Sequence, residues 1–364
     1  MANTYLFTGF PGFLASSLLK EMHHQSFPIE RVYLLHLPIM KQQAHRQLQQ
    51  LKESGINAGD IQLLEGDITK PDLGLDSNTS QSLKQEITHF FHLAALYDLA
   101  VPLSSAWKVN VKGTRMVNQW LHSCLSLQRY IYFSTAFVSG QREGIIYEEE
   151  LTHEQGFKNH YEYTKYIAEQ LVTQAQRELP TTIIRPGITV GHSRSGETLK
   201  FDGPYFILNM LGKLNKLPFV PHIGNSRAKI NLVPYNYVVE ATLHLAHFAE
   251  GLNKTYHLTD PNPYPAQDIY EMFSNELNNK EPHLTLPVPI ASTALQLKWI
   301  RKWMGVQREA VSYFLCESEY DCTHTLYDLR KTDIRCPDFA SYASHLVDYY
   351  KQHRDKKEKH VSIV

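Results

Sequence analysis

Short runs of apolar, β-branched and aromatic residues alternate with amphipathic stretches through the first half of this chain. The runs fall at residues 5–8, 32–36, 61–64, 89–93, 130–134 and 182–185. Near-continuous apolar strands separated by helical patterns predict a parallel sheet buried on both faces, because crossover helices cover each face of such a sheet. Helical spacing without internal proline runs over 106–127 and 161–178. The expected fold class is α/β, a doubly wound parallel sheet of Rossmann type.

The first strand leads directly into Thr8-Gly9-Phe10-Pro11-Gly12-Phe13-Leu14-Ala15, and a helix is expected to open near Ser16. Gly9 permits a tight turn, Gly12 lets backbone approach a pyrophosphate, and the small Ala15 allows close helix–strand packing. The anion would then sit on the positive end of the helix. The second strand ends His36-Leu37-Pro38 without the acid that would bind a 2′-hydroxyl and repel a 2′-phosphate. The cations that follow, Lys41, His45 and Arg46, could meet a 2′-phosphate, so NADP(H) is expected over NAD(H). Asp67, in Gly66-Asp67-Ile68-Thr69, is placed to accept from an adenine amino group; the plainer reading is a turn aspartate.

Tyr161-Glu162-Tyr163-Thr164-Lys165 is the sharpest chemical feature. Positions four apart share one helix face, so the Tyr161 phenol and the Lys165 ammonium can address one ligand. A neighbouring ammonium and the positive nicotinamide ring are expected to favour phenolate and lower the phenol's pKa toward working range. The same spacing recurs at Tyr327 and Lys331, but no predicted sheet precedes that pair. Thr135 stands at the carboxyl end of a predicted central strand, where open α/β sheets hold their ligands. Its hydroxyl could donate to a reacting oxygen, a role open also to Ser134. Asn110, in Asn110-Val111-Lys112-Gly113-Thr114, could hold backbone or water in a proton relay, or be a bland helix-surface residue.

After Pro186 glycine, proline and aromatics become frequent. Residues 230–233 and 255–258, flanking a helix at 235–248, read as a return to the sheet. From about Pro261 the chain is irregular and helical, with Trp299, Ile300 and Trp303 on one amphipathic stretch. The charged tail 351–360 reads as a fraying, solvated end. The expected division is a dinucleotide-binding domain at 1–187, with return elements at about 228–260, and a smaller mixed substrate-binding domain from 188–227 and 261–364.

Bulk properties narrow the function classes. Hydrophobic residues at 43% and charged residues at 20% suit a globular enzyme, and a net charge of -1 gives no electrostatic case for nucleic acid. Cys124, Cys316, Cys322 and Cys336 lack metal-ligand spacing and are too sparse for a disulfide framework, so no metal and a cytoplasmic setting are expected. With a strand expected so early, no signal peptide is expected, and no apolar run approaches a membrane span.

Taken together, the Thr8–Ala15 turn, Gly66-Asp67, His92-Leu93-Ala94-Ala95, Asn110 to Thr114, Ser134-Thr135-Ala136, Tyr161 with Lys165, and Arg185-Pro186-Gly187 resemble the extended short-chain dehydrogenase/reductases. Within them the chain looks most like the fatty acyl-CoA reductase and thioester-reductase (male-sterility-like) branch, on Gly66 to Leu75, Ser134 to Val138 and Asn231-Leu232-Val233-Pro234. Leu37 and Asn236 depart from that branch, where arginine and aspartate are common. The resemblance implies catalysis by Thr135, Tyr161, Lys165 and Asn110, with Ile68, Ala94, Ser134 and Pro186 joining the turn at the cofactor. It also implies hydride transfer to a carbonyl substrate, most of all an acyl thioester on coenzyme A or an acyl carrier protein, and a possible homodimer. Six cations (Arg194, Lys200, Lys213, Lys216, Arg227, Lys229) against two acids between 187 and 230 suit an anionic carrier. Phe201, Tyr205, Phe206 and Phe219 could line an acyl channel, or simply pack a core. Two alternatives are a nucleotide-sugar epimerase or dehydratase of the same fold, and a non-catalytic dinucleotide-sensing regulator.

Overall fold

The computed structural model describes residues 2–56, 61–214, 221–223, 228–280 and 316–360, together with 282, 284–286, 297, 299, 303 and 313. Its first half alternates as the sequence pattern requires: β1 (Asn3–Thr8), α1 (Phe13–His24), β2 (Ile29–His36), α2 (Lys41–Glu53), β3 (Ile61–Glu65), α3 (Ser77–Glu86), β4 (His89–His92), α4 (Leu103–Ala106), α5 (Thr114–Leu121) and β5 (Arg129–Phe133). A short β6 (Gly144–Ile146), α6 (His160–Ala175) and β7 (Thr181–Pro186) follow. Then come β8 (Ile188–Val190), α7 (Tyr205–Leu214), β9 (Pro221–Ile223), β10 (Leu232–Pro234), α8 (Tyr235–His247), β11 (Lys254–Leu258), α9 (Ala266–Asn278), β12 (Leu284–Leu286) and β13 (Ser318–Tyr320). Helices at Thr323–Leu329 and Ala343–His353 close the fold.

Seven strands make one sheet in the order β11-β7-β5-β4-β1-β2-β3, every pairing parallel. Alternate residues serve opposite faces. Tyr5, Phe7, Phe91 and Ile131 pack with α1 and α8 residues, while Leu6, Phe90, Tyr130 and Tyr132 pack with Val117, Trp120, Ala168 and Val172 from α5 and α6. A further apolar cluster joins α7 and α9 to the helix Ala343–His353.

Three expectations are corrected and one open alternative is decided. Residues 255–258 join the sheet as β11, but β10 pairs instead with β8 in a separate two-stranded sheet. The chain veers away immediately after β7 because Ile188 N–H donates to Asn231 O at 2.9 Å, and Gly187 is packed so tightly there that a Cβ would lie 2.7 Å from Asn231 Oδ1. The helix expected at 106–127 begins three residues early, passes through a π-helical stretch at Trp107–Gly113, and ends at Leu121, where the chain must turn to enter β5. The tail does not fray. Lys359 O accepts from Phe201 N–H at 2.7 Å, and Lys359 Nζ donates to Thr198 O at 2.6 Å and to Tyr349 Oη at 2.9 Å. Of the two readings open for the aromatics, Phe201, Tyr205 and Phe206 follow the core one, buried in the α7 cluster.

Ile300, Lys216, Arg227 and Phe219 lie outside the described residues; Trp299 and Trp303 are exposed. All four cysteines are free thiols. No described helix is long and apolar enough to cross a membrane, and no described group of three or more His, Cys, Asp or Glu side chains is placed to hold a metal.

Phe7 and Phe91 stack across β1 and β4 with ring centroids 4.5 Å apart. Both are fully buried at the centre of the sheet. Phe91→Ala is expected to cost about 3–5 kcal/mol, read as a lowered urea midpoint with an unchanged slope.

Candidate active site

Strand order reverses between β1 and β4, and open α/β sheets bind ligands at the carboxyl ends of the strands beside such a switch. A cleft of about 920 Å³ opens there. Its walls include Thr8, Gly9, Phe10, Gly12, Phe13, Leu14 and Ala15 of the first turn, but not Pro11. Helix α1 begins at Phe13, ahead of the expected Ser16. Gly9 has φ +87°, and a Cβ on it would come within 2.9 Å of Leu93 C and Ala94 N. On Gly12 a Cβ would lie 2.5 Å from Gly9 O, which already accepts Gly12 N–H at 2.7 Å. Gly12 caps α1 with no side-chain hydrogen bond, and the first turn of α1 carries no acid. The cradle therefore offers bare N–H groups and the positive helix end to an anion, which fits a pyrophosphate.

A buried polar seam fixes the next strand end. Thr8 Oγ1 lies 2.8 Å from His92 Nδ1 and accepts from Ala94 N–H at 3.1 Å. His92 Nε2 lies 3.2 Å from Thr114 Oγ1, whose proton goes to Asn110 O at 2.6 Å. Burial brings the His92 imidazole down to about 3, so it is neutral. Since the Thr114 hydroxyl donates elsewhere, the ring proton sits on Nε2, and Thr8 donates to Nδ1. Asn110 is a buried clamp rather than a surface residue: Oδ1 accepts from Leu96 N–H at 2.8 Å and Nδ2 donates to Thr164 Oγ1 at 3.0 Å. Gly113 lets this helix approach Ile68, whose Cδ1 a Cβ would meet at 2.7 Å.

Ile68, Asp67, Ala94 and Pro186 line the cleft. The Asp67 carboxylate is already engaged in a turn, accepting from Thr69 N–H at 2.9 Å and Thr69 Oγ1 at 2.8 Å. The expected 2′-phosphate cations do not reach the walls. Lys41 pairs with Glu65 at 3.3 Å, and His45 lies 2.8 Å from Lys41 O. Arg46 is exposed and off the cleft; at the end of β2 the lining residues are Leu35, His36, Leu37 and Met40. The reason is helical phase: α2 turns Ala44 and Leu51 into the core and carries Arg46 outward.

Thr135, Tyr161 and Lys165 line the same cleft. Asn159 caps α6, accepting from Glu162 N–H at 2.9 Å, so Tyr161 stands in its first turn. One turn on, Lys165 Nζ donates to Phe133 O at 2.6 Å and Tyr132 Oη at 2.9 Å, and sits 4.3 Å from the Tyr132 ring centroid. Burial brings the Lys165 ammonium down to about 7, opposed by the Glu169 carboxylate. Burial raises the Tyr161 phenol, with Glu162 adding to it. In this structure burial of the phenol sets the direction of the shift, because desolvation disfavours the phenolate. Tyr161 is therefore a phenol at neutral pH, a form that can donate a proton.

Thr135 Oγ1 accepts from Phe137 N–H at 3.3 Å, which leaves its own proton to give. Ser134 lines the cleft but donates to Glu169 Oε2, so its hydroxyl proton is already committed. Glu169 was absent from the sequence reading, although its place one turn beyond Lys165 on the same face was a usable signal. Its other oxygen accepts from Arg185 Nε at 2.9 Å and Nη2 at 2.5 Å, in an ion pair with both side chains about 98% buried. Tyr97 was also missed. It meets the Tyr161 ring edge-on with centroids 5.0 Å apart, and no sequence pattern marks it. Of the basic segment, Lys200 lines the cleft, while Lys229 is paired with Glu319 at 2.8 Å.

The sequence model of an NAD-binding family described as male sterility protein matches residues 7–242. The chain belongs to that family. Relatives include glycine betaine reductase ATRR of Emericella nidulans, 27% identical over 74% of this chain, and a putative fatty acyl-CoA reductase of Drosophila melanogaster, 24% identical over 65%. This family member spans 22% of the first relative's length and 50% of the second's. Among solved structures, the terminal R domain from the myxalamid PKS-NRPS biosynthetic pathway is 26% identical with a TM-score of 0.80, covering 98% of this chain and 92% of that domain.

Gly12→Val is expected to weaken dinucleotide binding at least about tenfold, measured by quenching of protein fluorescence, since the added carbons occupy the cradle. Lys165 also predicts a pH effect. Between about 7 and 10.5 the unfolded chain holds a proton there that the folded chain has lost. The Lys165 contribution to stability therefore rises with pH across that window, by up to about 1.4 kcal/mol per pH unit. Melting curves should show this slope in the wild type and a shallower one in Lys165→Met.

Proposed function

We propose that this chain is a nicotinamide-dependent reductase of acyl thioesters, carried by coenzyme A or an acyl carrier protein. The observation that carries the reading is that Tyr161, Lys165 and Thr135 line one cleft with the glycine turn. The family and the reductase names of the relatives support a reductive reaction over an epimerisation. NADP(H) is the proposed cofactor, supported by the lack of any acid among the cleft-lining residues at the end of β2. When bound, the dinucleotide supplies a hydride.

The chain's own part is positioning and proton transfer. Gly9, Gly12 and the start of α1 hold the pyrophosphate, and Ile68, Ala94 and Pro186 flank the rest of the cofactor. Thr135 donates a hydrogen bond to the thioester oxygen, and Tyr161 protonates that oxygen as the carbonyl carbon is reduced. Lys165 orients the nicotinamide ribose and tunes Tyr161. Asn110, which touches backbone and Thr164, is a positioning residue for the Tyr161 helix. The resulting hemithioacetal loses the carrier thiol to give an aldehyde. The cluster of α7, α9 and Ala343–His353, with the segment that follows β8, forms the substrate half in this reading, and the sheet forms the cofactor half.

The test is NADPH and NADH consumption against a panel of acyl-CoA thioesters, ketones and nucleotide sugars. Thioester-dependent oxidation of NADPH is the expected result; turnover of nucleotide sugars without net cofactor oxidation would remove the reading. Tyr161→Phe is expected to lower kcat by about 10²–10⁴-fold while NADPH still binds.

A further inference from the structure

The cofactor half of the cleft has no fixed charge at the point where NAD(H) and NADP(H) differ. In a doubly wound sheet the end of β2 stands beside the adenosine ribose. Here β2 ends on His36, and the lining residues at this strand end are Leu35, His36, Leu37 and Met40, without acid, lysine or arginine. The His36 main chain is held by β3: it pairs with Glu65, and its carbonyl accepts from Gly66 N–H at 2.9 Å. Only 3% of the residue is exposed.

The imidazole is committed on one side only. Nδ1 lies 3.0 Å from Leu37 O, and a carbonyl only accepts, so Nδ1 carries a proton. Nε2 makes no hydrogen bond to any described residue, and it is not sealed away from solvent. The titratable groups around the ring are His45 and Lys41 of α2, Glu65 of β3 and Asp67 just beyond it. None of them occupies Nε2. His45 stands with its ring centroid 6.5 Å from that of His36, and its Nδ1 is turned to Lys41 O. Lys41 pairs with Glu65, and Asp67 accepts from Thr69.

A ring nitrogen left over in this way has two uses. Neutral, Nε2 presents a lone pair, which accepts from a ribose 2′-hydroxyl. Protonated, it presents an N–H and a positive charge, which a 2′-phosphate takes in a charge-assisted bond. A fixed acid would repel the phosphate, whereas an imidazole meets either group by losing or gaining one proton. Imidazole is also the side chain whose charge ordinarily changes between about pH 5 and 8.

We propose that His36 reads the 2′ position of the dinucleotide through its own protonation state, so that both cofactors bind and the preference for NADPH grows as pH falls. This role rests on the dinucleotide reading of the cleft and is independent of the acyl substrate.

Titration calorimetry of the full chain with NADPH and with NADH, in buffers of different ionisation enthalpy, tests this without turnover. At about pH 7.5 NADPH is expected to bind with uptake of up to about one proton more than NADH. Between about pH 6.5 and 8.5, above the second ionisation of the phosphate, the affinity for NADPH relative to NADH should fall about tenfold or more. His36→Gln should abolish the extra proton uptake and flatten the ratio, with both dinucleotides still bound. His36→Asp should keep NADH and weaken NADPH by about tenfold or more, a selective change that misfolding cannot imitate. A wild-type ratio that is flat with pH would overturn the role of His36 and leave the dinucleotide site standing. So would extra proton uptake that survives His36→Gln. Failure of both dinucleotides to bind the wild type would overturn the site and the role together.

Discussion

The whole cleft depends on how α6 is clamped to the end of the sheet. Lys165 donates to the Phe133 carbonyl at the last residue of β5, and Glu169, one turn further, accepts from Ser134 and from Arg185 on β7. These bonds join one helix face to two adjacent strands. A buried ion pair contributes little net stability, because desolvation cancels most of the attraction. Its yield is geometric: with its lone pairs and donors satisfied, the helix cannot slide or rotate without stranding a charge. Tyr161, on the same face one turn earlier, is thereby held over the carboxyl end of the sheet.

The same logic runs through the β1–β4 junction at lower charge. Thr8, His92, Thr114 and Asn110 pass hydrogen bonds from the glycine turn to the π-helical stretch, and a neutral imidazole is the middle link. Each partner is buried, so each bond that failed would leave a polar group unpaired. Around that seam, glycine occupies the points where main chain meets main chain. Gly9 and Gly12 admit Ala94 and each other, and a side chain at either would fill the space an anion needs. Packing and ligand fit are the same constraint at these two residues.

The part of the chain beyond β7 obeys a different rule. There β11 and α8 return to the sheet, whereas α7, α9 and the helix Ala343–His353 are held by an apolar cluster of their own. Arg185 extends the α6 clamp toward it: Nη1 donates to Glu148 O, and lies 3.1 Å from His257 Nε2. The Glu148 carboxylate in turn accepts from Thr325 Oγ1 at 2.7 Å. The C-terminal segment is thus wired to α6 through a continuous chain of buried polar contacts.

Strand runs, helix phases and the glycine turn were legible because each is written in local sequence, where side-chain period and backbone freedom act over a few residues. They placed β1 to β5, β7, β11 and α6 to within about three residues, and they put Thr135, Tyr161 and Lys165 at strand and helix ends that the fold brings together. What local sequence could not carry was anything set by distant partners. The pairing of β10 with β8, the docking of the tail on Phe201, the outward turn of Arg46 and the approach of Tyr97 to Tyr161 each join segments far apart or depend on which face is covered. The protonation states of Tyr161 and Lys165 belong to this second group. A neighbouring ammonium was visible in the spacing, but the desolvation that shifts both groups exists only once the surrounding chain has closed over them.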